Sequence, residues 1–120
     1  MTMHSLFEQG IAEFNRKEFF QCHETLEEFW RDFNGPEKEL IQAIIQMSVA
    51  YYHISRGNRI GAAKLFQKAL NKATKYRAGR QTFAALDVET LCRDLEINLA
   101  KLEQGQNLDN WQYTKISFKK

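Results

Sequence analysis

Apolar positions recur at helical spacing along most of this chain. Leu6, Ile11 and Phe14 share one face of a first helix predicted over about Ser5 to Asn15, with Ser5 in place as its cap. After a turn at Arg16 and Lys17, a second helix is predicted over about Glu18 to Phe33, and Phe19, Cys22, Leu26, Phe29, Trp30 and Phe33 form its apolar stripe. Asn34, Gly35 and Pro36 end it. A third helix, about Glu37 to Arg56, carries no charged residue from Leu40 to Ser55, and apolar side chains cover most of its circumference. A helix of that kind is central, with neighbours on all sides. Gly57 and Asn58 close it. The fourth, about Arg59 to Tyr76, turns Ala62, Ala63, Phe66, Ala69, Leu70 and Ala73 inward, small enough for close approach. A break from Ala78 to Leu86, containing Gly79, keeps Phe83 as an anchor. Asp87 then caps a fifth helix, about Val88 to Gln104, with the stripe Val88, Leu91, Leu95, Leu99 and Leu102. Past Gly105, the turn formers Asn107, Asp109 and Asn110 precede Trp111, Tyr113, Ile116 and Phe118, which are too apolar to be left in water.

The predicted fold is therefore all-α: a single antiparallel bundle of about five helices over residues 1–104, with an extended aromatic tail, 105–120, docked along it. Leu26, Trp30, Ile44, Met47, Tyr51 and Phe66 are expected among the most buried residues. A faint echo at an offset of 40 aligns Ile11–Trp30 with Tyr51–Leu70. Both read as helix, turn, helix, which predicts two stacked helical hairpins rather than a longer repeat array.

Composition narrows this further. At 120 residues, with 43% hydrophobic and 27% charged, the chain has room for one domain with its own core. The uncharged stretch Leu40–Ser55 is too short and too polar to span a bilayer. Glu8 and Glu13 sit where a signal peptide would be apolar, so a soluble cytoplasmic protein is expected. Cys22 and Cys92, 70 residues apart and in no C-x-x-C pattern, read as small core residues.

Candidate chemistry gathers on the second and third helices. His23 and Glu27 are four apart and share one flank, with Glu24 further round. Gln42, Gln46 and His53 form a polar strip on the otherwise apolar third helix, and such a strip needs partners, since a buried polar atom left unpaired costs about 1–3 kcal/mol. The expectation is one interhelical crevice containing His23, Glu24, Glu27, Trp30, Gln46, His53 and Asn58, in which the two imidazoles approach each other. Three uses compete. The crevice can be a structural hydrogen-bond network. It can bind a small ligand or a divalent metal, with His23, Glu27 and His53 as ligands. It can be peptidase-like, because His23-Glu24-x-x-Glu27 is one substitution from H-E-x-x-H. No further ligand at known spacing, no Gly-rich turn and no nucleophile beside a base support the last, so the sequence assembles no catalytic set.

The net charge of +2 conceals a polarity. Residues 1–40 carry nine acids and four bases, whereas 59–80 carry seven bases and no acid. Lys64, Lys68, Lys72, Lys75, Arg77 and Arg80 are the residues that a nucleic-acid footprint would use. The nearly balanced chain, and Tyr76 as the one aromatic available for stacking, weigh against that reading and leave a protein partner or a homodimer as the alternative.

Three stretches carry a resemblance: F-N-x-x-E-F-F-x-C-H-E-x-L-E-x-x-W (Phe14 to Trp30), L-I-Q-x-x-I-Q-x-S-V-A-Y-Y-H-x-x-R-G-N (Leu40 to Asn58) and G-A-x-x-L-F-x-K-A-L (Gly61 to Leu70). From about Phe7 to Leu102 the chain resembles the family of small helical bacterial, archaeal and plastid proteins called domain of unknown function 309. The resemblance implies an all-helical bundle and marks His23, Glu24, Glu27, Trp30, His53, Gly57 and Asn58 as motif positions. It implies no activity, and the sequence itself requires no cofactor beyond the divalent metal weighed above.

Overall fold

A computed structural model describes residues 3–77 and 86–118. They form five helices: α1 (Met3–Asn15), α2 (Phe19–Asp32), α3 (Lys38–Ser55), α4 (Arg59–Ala73, continued by a 3-10 turn, Thr74–Tyr76) and α5 (Val88–Glu103). Among the described residues there is no strand, only one antiparallel bridge between Leu86 and Phe118. The all-α expectation holds, and each helix packs on the next in sequence. Gly79, Arg80 and Phe83 lie outside the described residues.

The central position of α3 follows from its composition. Leu40, Ile41, Ala43, Ile44, Met47, Ala50 and Tyr51 are all buried, so this helix lies at the middle of the core. Tyr51 shows how. Its ring lies 5.8 Å from Phe14 of α1, 5.2 Å from Phe19 of α2, 5.3 Å from Phe66 of α4 and 5.0 Å from Tyr113 of the tail. Its hydroxyl accepts a hydrogen bond from Asn98 of α5. One side chain thus touches every other element. The alanines of α4 (Ala62, Ala69 and Ala73) are fully buried and let α4 lie close to α3. Gly10 does the same for α1 on α2: a Cβ there would stand 2.3 Å from a Leu26 methyl carbon.

α1, α3 and α5 end in the same way. After α1, the Glu18 N–H donates to the Glu13 carbonyl (2.9 Å) and the Lys17 N–H to that of Phe14 (2.9 Å). Asn58 to His53 (2.8 Å) with Gly57 to Ile54 (3.1 Å), and Gln106 to Lys101 (3.0 Å) with Gly105 to Leu102 (3.1 Å), repeat the pattern. Each is a Schellman cap with one residue in the left-handed region: Lys17 at φ 67°, Gly57 at 76° and Gly105 at 77°. Lys17 and Gly57 are 40 apart, the offset of the sequence echo.

Two expectations need correction. Ser5 does not cap α1, because the helix already includes Met3. Trp30 is only partly buried. Its indole N–H donates to the Lys38 carbonyl at 3.1 Å, with the Lys38 ammonium 4.4 Å above the ring, so it joins the end of α2 to the start of α3 instead of filling the core.

Candidate functional site

The crevice between α2 and α3 exists, and it is lined by part of the expected set. His23, Glu27 and Trp30 from α2, Gln42, Ile45, Gln46 and Val49 from α3, and Leu65 from α4 surround a cavity of about 260 Å³. Helical geometry explains the grouping. His23 and Glu27 are one turn apart on α2, as are Gln42, Gln46 and Val49 on α3, and both rows border apolar stripes that press the helices together.

His23 Nε2 lies 2.6 Å from a Glu27 carboxylate oxygen. The carboxylate thus stands against the edge of the imidazole, one helical turn away on the same flank. On the opposite wall the Gln46 Oε1 is fully buried and accepts no hydrogen bond. Gln42, which lies outside the expected set, stands one turn away on the same wall.

His53 does not join this cluster. Its Nδ1 lies 3.3 Å from the Asn58 amide nitrogen, and for that amide to donate, Nδ1 must carry the lone pair. Asn58 Oδ1 in turn accepts from the Gly61 N–H at 2.9 Å and caps α4. Asn58 is therefore a helix cap, and His53 braces it from the preceding turn. The two histidines share only a second, smaller hollow of about 190 Å³, lined also by Phe19, Phe20, Val49 and Tyr52. Glu24 is exposed and does not line the crevice. The expected approach of the two imidazoles thus reduces to a shared apolar rim. His23, Glu27 and His53 are not gathered into one ligand set, and among the described residues no group of three or more His, Cys, Asp or Glu side chains is placed to hold a metal ion.

The basic stretch also changes character once folded. Lys75 pairs with Glu39 of α3 at 3.1 Å. Arg77 pairs with Glu89 at 2.7 Å and Glu96 at 3.0 Å, both on α5. These hydrogen bonds raise the Arg77 pKa above its already high value and lower that of Glu89. Lys64 and Lys68 are exposed and Lys72 is half-buried, so part of the expected phosphate-binding footprint is already matched by carboxylates of this chain. No helix among the described residues is long and apolar enough to cross a membrane. Cys22 and Cys92 are buried and unbridged, and burial pushes the Cys22 thiol up to about 12.

Residues 7–65 match the family described as a domain of unknown function (DUF309), to which the chain is similar over that stretch. The Uncharacterized protein YpuF of Bacillus subtilis (strain 168) is 37% identical over 62 residues, which cover 50% of this chain and 36% of that protein. The chain thus spans little more than a third of that relative's length. The family match runs from Phe7 to Leu65, so every residue lining the larger crevice falls within it, while α5 and the tail fall outside.

Proposed function

We propose that the α2–α3 crevice binds a small molecule that donates hydrogen bonds, such as an amine, an amidine or a primary amide carrying a short apolar group. The observation behind this is the buried Gln46 Oε1, which accepts no hydrogen bond in the wall of the cavity that also contains the His23–Glu27 pair. A buried acceptor without a partner costs about 1–3 kcal/mol, and a ligand's donor removes that cost once the Gln46 side chain turns its amide toward the cavity. Glu27 offers further acceptor capacity, while Ile45, Val49 and Leu65 supply apolar contact. Among the described residues the lining of the cavity holds no nucleophile or charge stabiliser beside the His23–Glu27 pair, and the proposed role is binding.

A panel of small amines, amidines and primary amides, titrated in and followed by nuclear magnetic resonance, tests this. Binders should shift the Gln46 side-chain amide and the His23 ring signals together. Gln46→Leu should abolish the shift of the His23 ring signals and, by removing the unpaired acceptor, raise stability by about 1 kcal/mol. A panel that moves neither signal overturns the proposal.

A further inference from the structure

The C-terminal tail is held in a way that differs from ordinary core packing. Trp111 and Ile116 bury their side chains, as an extended segment on an apolar face must. The backbone between them is contacted by polar side chains from α1 and α3, and the indole is held from α5. The Asn15 amide pairs with residue 116 as a neighbouring strand would: its Oδ1 accepts from the Ile116 N–H at 2.8 Å, and its Nδ2 donates to the Ile116 carbonyl at 3.0 Å. The Tyr51 oxygen accepts from the Thr114 N–H (3.3 Å) and from Asn98 Nδ2 (2.9 Å), which leaves its own proton for Thr114 Oγ1 at 2.8 Å. Asn98 Oδ1 accepts from the Trp111 indole N–H at 2.8 Å. Asn98 and Tyr51 are almost wholly buried, so without an occupant they would line an apolar groove with unmet hydrogen-bonding capacity.

Three of these hydrogen bonds read peptide backbone, one reads a threonine hydroxyl and one reads an indole. That is how a sheet edge or a peptide groove recognises an extended strand. The segment leading in is a turn, not a helix. Gly105 and Asn110 are left-handed (φ 77° and 61°), and the Asn107 side chain accepts from the Asp109 N–H at 2.8 Å. Arg59 bonds the Leu102 and Gln106 carbonyls, so the fixed point lies before that turn and residues 107–110 are the natural hinge.

We propose that the groove across α1, α3 and α5 is a strand-receiving site whose occupant exchanges between copies, the tail of a second copy of this chain taking the place of the chain's own. Every copy carries the matching order of indole, aromatic, threonine and aliphatic side chains, and straightening one short turn redirects the tail without altering a helix.

The test uses the full-length chain. Native-state hydrogen exchange should show the Thr114 and Ile116 amides opening at lower denaturant than amides of α3. A fluorescent synthetic peptide of residues 107–118 should bind the Trp111→Ala chain about tenfold or more tightly than the wild type, whose own tail competes at high effective concentration. Asn15→Leu added to Trp111→Ala should abolish the uptake. Two differently tagged wild-type copies, concentrated together, should form mixed dimers. Tail amides that exchange only with global unfolding overturn the proposal, even if Trp111→Ala fails to fold. Peptide uptake without mixed dimers overturns the second copy as the occupant.

Discussion

Lys17 occupies the position in its cap that Gly57 and Gly105 occupy in theirs, at φ 67° against 76° and 77°. A side chain in this region brings Cβ against its own carbonyl and costs about 1–2 kcal/mol, partly offset by the entropy that a glycine would lose on folding. Lys17→Gly should therefore stabilise the protein by about 0.5–1 kcal/mol, seen as a higher urea midpoint with an unchanged slope. A lower midpoint would mean that the Lys17 side chain, 5.7 Å from the Tyr113 ring centre, contributes more than the strain it imposes. Some polar residues at this scale were open to reading from sequence and others were not. Asn98 sits on the buried ladder of α5 with Val88, Leu91, Leu95 and Leu102, where an asparagine is conspicuous; Leu99, which hydrophobicity alone puts on that ladder, is only partly buried. Asn15 carried no such signal, because its partners are backbone groups 101 residues away.

Among the elements, periodicity placed all five helices, and their ends shifted by a few residues at most. This is expected where a stripe of large apolar side chains dictates which face is buried. Turn chemistry was harder to assign. Gly57-Asn58 was legible as a stop but not as a double device: Gly57 lets α3 end in a left-handed residue, and Asn58 starts α4 while donating to His53. A histidine in the last turn of a helix and the asparagine after it look the same in sequence whether they line a crevice or brace a turn. Asn58→Ala removes the cap of α4 and should cost about 1 kcal/mol. Asn58→Asp keeps the accepting oxygen for the Gly61 N–H and should recover most of that loss. Chemical denaturation of the two variants separates these outcomes, and equal losses would show that the contact with His53, not the cap, carries the effect. Neither change should alter the His23 and Gln46 signals, because Asn58 does not line their cavity.

For the molecule as a whole, burial of weak acids sets a limit at alkaline pH. Burial is the first cause of the raised pKa at Tyr51, Tyr113 and Tyr76, as it is for Cys92 and for Cys22, whose thiol is pushed up to about 12. At Tyr51, hydrogen bonds from Thr114 and Asn98 work against that shift without cancelling it. In the unfolded chain these groups return to ordinary values, roughly 8.5 for a thiol and 10 for a phenol. As pH rises through that range the unfolded state loses protons first, so it binds fewer than the native state, and the free energy of unfolding falls with pH. The stability these groups contribute is complete below their unfolded values and is lost as pH climbs toward the folded ones. Tyr51 joins α3 to α5 and the tail, so its ionisation cannot be confined to one side chain. The urea midpoint should hold near neutral pH and then decline from about pH 9 upward. Phenolate absorbance of Tyr51 should rise together with unfolding instead of along an independent titration curve. Tyr51→Phe removes one of these groups and should flatten the alkaline decline, even though it lowers stability at neutral pH by leaving the Asn98 amide and the Thr114 N–H without their acceptor. An unchanged slope in that variant would assign the alkaline limb to the two buried thiols and the other two tyrosines, which Cys22→Ala, Cys92→Ala, Tyr76→Phe and Tyr113→Phe then distinguish.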